Sequence, residues 1–171
     1  RVAAGRLREG IEGGAQALAD GAAPDRQLPH RPFELGQAEE VADGDAGVIL
    51  AYGTMTYVAL EVRRRIAAET GRQIAVVNAR FAKPLDEELI GAHWRQQPFV
   101  VTLEDHAIAG GFGAAIAGLG ASGRIGRVDA SRLRILGIPD RFIDHGERTQ
   151  QLASVGLDTT SVARSVRSLM G

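Results

Sequence analysis

The chain contains no cysteine, so disulfides, thiolate metal sites and a cysteine nucleophile are all excluded. This fits a reducing, cytoplasmic setting. Lysine is nearly absent too. Of 20 basic residues only Lys83 is a lysine, a bias that reads as the arginine habit of a GC-rich genome rather than as phosphate recognition. With a formal net charge of −1, no broad electrostatic case exists for nucleic acid or an anionic membrane. Aromatic residues make up 5% of the chain and lie scattered, which argues against a stacking surface for single-stranded nucleic acid. No apolar run reaches the length of a bilayer span. The opening residues lack the basic-then-apolar order of a secretory signal.

What is present fits one domain of ordinary composition: 171 residues, 44% hydrophobic and 24% charged. Residues 1–30 stand apart, being rich in alanine, glycine and charge. A weak helix over 2–19 is interrupted by Gly5, Gly10, Gly13 and Gly14, and Pro24 and Pro29 close it. This stretch is expected to be a linker or a partly helical, mobile segment, with the folded domain occupying 31–171. Arg1 in place of methionine favours a fragment or processed chain.

From Pro32 onward the pattern is regular. "FELGQAEEVADGDAG" reads as a short extended piece ending in a turn near Gly44. "GVILAYG" (47–53), "QIAVVNA" (73–79), "FVVTLE" (99–104) and "RLRILGIP" (132–139) are near-continuous apolar runs, as expected of strands covered on both faces. Between them, Thr54 can cap a helix reaching Thr70, with Val58, Val62 and Ile66 on its apolar face and Gly71 at its end. Asp86 can cap a second helix, with Leu85 and Ile90 as a hydrophobic staple. A glycine- and alanine-rich helix should begin near Gly111. Asp158 can cap a final helix, with Leu157 and Val162 as its staple and Val166 and Leu169 on its buried face. Strands alternating with helices predict an α/β three-layer sandwich with a mostly parallel sheet, and residues 34–42 as an antiparallel edge.

In such a sheet ligands gather at the carboxyl ends of the strands, where three motifs fall. "YGT" (52–54) offers a tight turn and helix N–H groups able to hold an anion, but no G-x-G-x-x-G follows the strand. A structural turn is the preferred reading. In "NARFAKPLD" (78–86), Arg80 and Lys83 leave a strand and precede a helix. They can meet a phosphate or a partner's carboxylate, or lie on an ordinary surface; both readings stay open.

"LEDHAIAGGFG" (103–113) sets Glu104, Asp105 and His106 before Gly110 and Gly111. No G-x-S-x-G elbow supports a serine triad, and no helical histidine pair supports a metal. His30, His93 and His145 are dispersed as surface or core residues. The glycines are expected to bring a helix backbone close to the sheet or to a second subunit, and Glu104 can reach an arginine across a strand-end crevice. A structural or interface corner is preferred here over a small-ligand site.

Three stretches, "VVNARFAKPLDEELI", "VVTLEDHAIAGGFGAAI" and "LGIPDRFIDHGERTQQLASVGLD", occur in an order and spacing that resembles the C-terminal domain of the 1-deoxy-D-xylulose-5-phosphate synthases. These belong to the transketolase-like thiamine-diphosphate enzymes. The resemblance runs from about Phe33 to the end, and its last stretch (136–158) is more similar to the synthases than to transketolases or 2-oxoacid dehydrogenase β subunits.

It implies a transferase that joins pyruvate to glyceraldehyde 3-phosphate, releasing carbon dioxide, on the way to isoprenoids, thiamine and pyridoxal. Thiamine diphosphate with Mg²⁺ supplies the carbanion chemistry. In the family these are bound by the two preceding domains, the cofactor-binding and pyrimidine domains. The third domain packs and dimerises. The cofactor motif G-D-G…N is not found in this chain, "DGD" (43–45) being the nearest string. The resemblance therefore implies a chemically incomplete domain with no catalytic, cofactor or metal residue of its own. Arg80, Lys83, Glu104, His106, Gly110 and Gly111 are its candidate interface or anion-binding residues. Its partners are the preceding domains, in cis or in trans, and a second copy, with no nucleic acid and no membrane.

Overall fold

The computed structural model describes residues 34–171; the linker or partly helical segment expected over 1–30 lies outside them. Five strands form one sheet in the order β1-β3-β2-β4-β5. They are β1 (Glu39–Ala42), β2 (Val48–Ala51), β3 (Ala75–Asn78), β4 (Val100–Ala107) and β5 (Leu133–Ile138). The four central and right-hand strands run parallel, with Val48 between Ala75 on one side and Val100 on the other. β1 is the antiparallel edge, Glu39 facing Asn78 across the ladder.

The helices are α1 (Met55–Thr70), α2 (Glu87–Gln96), α3 (Phe112–Ala121), α4 (Arg148–Ser154) and α5 (Thr159–Arg167). On one face Val48, Leu50, Val77 and Val100 pack with Ile90 and Trp94 of α2 and Phe112, Ile116 and Leu119 of α3. Alternation sends Ile49, Val76, Val101 and Leu103 to the opposite face, where α1 packs on β2, β3 and β4 and α5 lies on α1. All four of these strand residues are fully buried. The expected three-layer α/β sandwich and the antiparallel edge are both observed. The compact unit spans Gly36–Gly171.

Several local expectations need correction. Thr54 stands at the head of α1 but makes no side-chain cap; its hydroxyl accepts from Arg148 instead, at 3.2 Å. Thr56 is the residue whose hydroxyl closes this turn, donating to the Gly53 carbonyl at 2.9 Å. Val58 is only half-buried, while Met55, Ala59, Val62 and Ile66 carry the apolar face. β4 runs three residues past Glu104, so the acidic and histidine cluster belongs to the strand and not to the turn. The short helix α4 was unforeseen because none of its residues is buried, which leaves no apolar period to read. Leu169 lies beyond the end of α5.

The other helix ends follow the sequence chemistry. Gly71 closes α1 at φ 72°. Asp86 accepts from the Leu89 amide at 2.9 Å to open α2, and Asp158 accepts from Thr160 and Ser161 to open α5. At the other end of α2, Arg132 donates to the carbonyls of Gln97 at 2.9 Å and Trp94 at 3.0 Å. A cation thus answers the negative pole of the helix.

Candidate functional site at the carboxyl ends of the strands

In the second half of β4 lies Glu104, which is completely buried. Its two oxygens accept from the Phe112 amide at 2.6 Å and the Gly113 amide at 2.7 Å. A helix start leaves such amides unpaired, and here a side chain from the neighbouring strand satisfies them and places negative charge at the positive end of α3. The glycines make this approach possible, each for its own reason. Gly110 adopts φ 75° with open space around it. A Cβ on Gly111 would collide with Glu104 and the Ala107 carbonyl, and one on Gly113 with Ile135 and Thr102. The expectation that the glycines press a helix onto the sheet holds. The expectation that Glu104 reaches an arginine does not: among the described residues its oxygens pair with the amides of α3. Beside it, the buried Thr102 hydroxyl has no hydrogen-bond partner.

The next two residues point elsewhere. Asp105 pairs with Arg148 of α4 at 2.5 Å, and Arg148 also reaches Thr54. This ties α4 to the ends of β4 and β2. A depression of about 180 Å³ lies beside the pair, walled by Ile138, Ile143, Leu152 and Val155. His106 is exposed, its ring 5.6 Å from that of Tyr52, which in turn stacks on Phe112 at 5.4 Å.

Arg80 leaves β3 in a left-handed conformation, φ 55°. Its amide donates to the Asn78 side-chain oxygen at 3.1 Å, which pins the turn. The guanidinium pairs with Glu39 of β1. Lys83, further along the same connection, is exposed. The six residues singled out in the sequence therefore form two groups at the same end of the sheet. Arg80 and Lys83 belong to the β3–α2 connection, and Glu104, His106, Gly110 and Gly111 to the β4–α3 corner. Arg148 and Glu39 were not foreseen, and Asp105 and Tyr52, though inside the quoted motifs, had no partner assigned. Glu39 lies 41 residues from Arg80 in the chain and Arg148 lies 43 from Asp105, so only the fold joins them. The N-x-R spacing at 78–80 was the one local signal for the Asn78 turn.

The described residues do not fit a Mg²⁺–diphosphate site. No group of three or more His, Asp or Glu among them could hold a metal ion. The buried acid is consumed by α3, and the arginine by Glu39. Among the described residues, no helix is long and apolar enough to cross a membrane.

Residues 36–162 match the family "Transketolase, C-terminal domain". Among curated proteins, the chain is 38% identical over 140 residues to 1-deoxy-D-xylulose-5-phosphate synthase 1 of Geobacter sulfurreducens, covering 82% of this chain and 21% of that protein. To the 1-deoxy-D-xylulose-5-phosphate synthase of Anaeromyxobacter sp. (strain K) it is 43% identical over 147 residues, covering 84% and 23%. The chain thus spans roughly a fifth of the length of these relatives. A solved structure, a split-gene transketolase described as an inactive β4 tetramer, superposes with a TM-score of 0.72 at 30% identity, covering 87% of this chain and 47% of that one. With its fold and strand-end corner both accounted for, the chain belongs to the transketolase C-terminal domain family.

Proposed function

We propose that this chain is the C-terminal structural and dimerisation domain of a 1-deoxy-D-xylulose-5-phosphate synthase, a cytoplasmic thiamine-diphosphate transferase acting on pyruvate and glyceraldehyde 3-phosphate. The identity of 38–43% to proteins of that name supports the assignment. The observation that carries the structural role is the fate of Glu104: among the described residues it is the one fully buried acid, and each of its oxygens accepts an amide at the start of α3. Thiamine diphosphate and Mg²⁺ belong, in this reading, to the cofactor-binding and pyrimidine domains. When bound there, the cofactor supplies the carbanion equivalent. This domain contributes the packed strand ends, with Arg80 and Lys83 as anion or interface contacts and His106, Gly110 and Gly111 at the subunit-facing corner.

Calorimetry of the chain with thiamine diphosphate and Mg²⁺ is expected to give no micromolar binding. Such binding, or pyruvate decarboxylation by the chain alone, overturns the proposal. Sedimentation equilibrium is expected to show a dimer.

The split-gene transketolase at 30% identity favours a second reading, the equivalent domain of a transketolase. Assembly with its catalytic partner separates the two, since a synthase consumes pyruvate with glyceraldehyde 3-phosphate and a transketolase consumes ketose donors.

A further inference from the structure

Glu39 and Arg80 form a pair whose chemistry goes beyond packing. Arg80 is held at the strand end by an unusual backbone conformation, φ 55°, and by the Asn78 side chain. For a bulky residue this geometry is unfavourable and persists only where the surroundings enforce it. Its side chain keeps 24% of its surface exposed, and that of Glu39 keeps 19%, so the pair lies at the rim and not in the core. Glu39 belongs to the edge strand, which is four residues long, and the pairing of β1 with β3 is irregular just after it, between Glu40 and Ala42. On either side β1 has independent anchors. The Ala38 amide donates to Asp86 at 3.0 Å, and Glu40 meets His93 of α2 at 3.0 Å. Glu39 is thus one of three side-chain ties at β1, so its departure from Arg80 weakens the seating of the strand without undocking it.

A guanidinium fork binds carboxylate and phosphate in the same geometry. Resting on the reading of Arg80 as an anion contact, we propose that Glu39 is a displaceable internal ligand: it occupies the Arg80 fork in the free chain, and an incoming phosphoryl group must expel it. The seating of β1 and the binding of an anion are then coupled, and the coupling is reciprocal. Whatever loosens β1 favours the anion, and the anion loosens β1.

The test is titration of the full chain with inorganic phosphate at fixed ionic strength, by calorimetry, for wild type, Glu39→Gln and Arg80→Gln. Removing the competing charge while keeping a hydrogen-bonding amide is expected to tighten phosphate binding about tenfold. Arg80→Gln is expected to abolish it. In wild type, saturating phosphate is expected to speed amide exchange in β1 by about threefold or more, with β2 unaffected. If Glu39→Gln binds phosphate no more tightly than wild type while Arg80→Gln still loses binding, Glu39 merely positions the arginine. The proposal then falls, and the anion reading of Arg80 stands. If neither wild type nor Glu39→Gln shows binding that depends on Arg80, both fall together. Should Glu39→Gln fail to fold, the wild-type exchange experiment decides alone, and an unchanged β1 overturns the proposal.

Discussion

Glu104, Gly111 and Gly113 act as one unit, since the carboxyl group and the helix amides meet only where no Cβ intervenes. Glu104→Ala leaves two buried amides without acceptors, each costing about 1–3 kcal/mol, so urea denaturation should show a loss of about 3 kcal/mol or more. Glu104→Gln keeps one acceptor and should cost about half as much. Thr102 behaves in the opposite sense. Its hydroxyl is buried and unpartnered, so Thr102→Val removes a desolvated polar group and should raise stability by about 1 kcal/mol in the same assay. A Thr102→Val protein less stable than wild type would mean that the hydroxyl has a partner after all.

At the scale of elements, α4 and α5 differ in how they are held. α5 buries Val162, Ala163 and Val166, and its Arg167 pairs with Glu69 of α1. Asp158, its cap, has its carboxyl pulled below the usual carboxylate value, first by the Ser161 hydroxyl, with burial opposing as the next largest effect and the backbone amides of Ser161 and Thr160 adding to the lowering. A lowered folded-state pKa stabilises above the unfolded value near 4, and that stability fades as pH falls through the folded value. Asp158→Asn keeps a capping oxygen but has no charge to lose. Its denaturation midpoint should therefore fall less than that of wild type between pH 5 and pH 2. Asp158→Ala should cost about 1 kcal/mol at neutral pH.

By contrast, α4 buries none of its residues, and its side-chain ties to the sheet end run through Arg148 to Asp105 and Thr54. Arg148→Ala should raise hydrogen exchange across 148–154 while changing global stability by less than about 1 kcal/mol. Equal exchange in the two proteins would show that the latch does not hold the helix.

For the whole molecule, the parallel sheet, its edge strand and the capped helices α2 and α5 were all readable in the sequence. Their signals are local: apolar runs of strand length, and an acid directly before a helical period. The covered faces are legible because a parallel sheet must bury both sides. What escaped was non-local or weakly patterned. The Glu39–Arg80 and Asp105–Arg148 pairs join residues distant in the chain, and α4 has no buried stripe. Glu104 was read as part of a structural corner, but its partners are backbone amides that no residue code displays, in place of the arginine expected. The resemblance to a family extended the functional reading beyond what these residues carry themselves, and the match over residues 36–162 agrees with it.

One consequence follows from the junction of β4 with α3. Two short bonds to a fully enclosed side chain weld the sheet and the helix into a single stiff lever. The outward side of that helix carries Ala115 and Gly118, both exposed. Any tilt of that helix must therefore carry the Glu104 carboxyl, and β4 with it, or break both bonds.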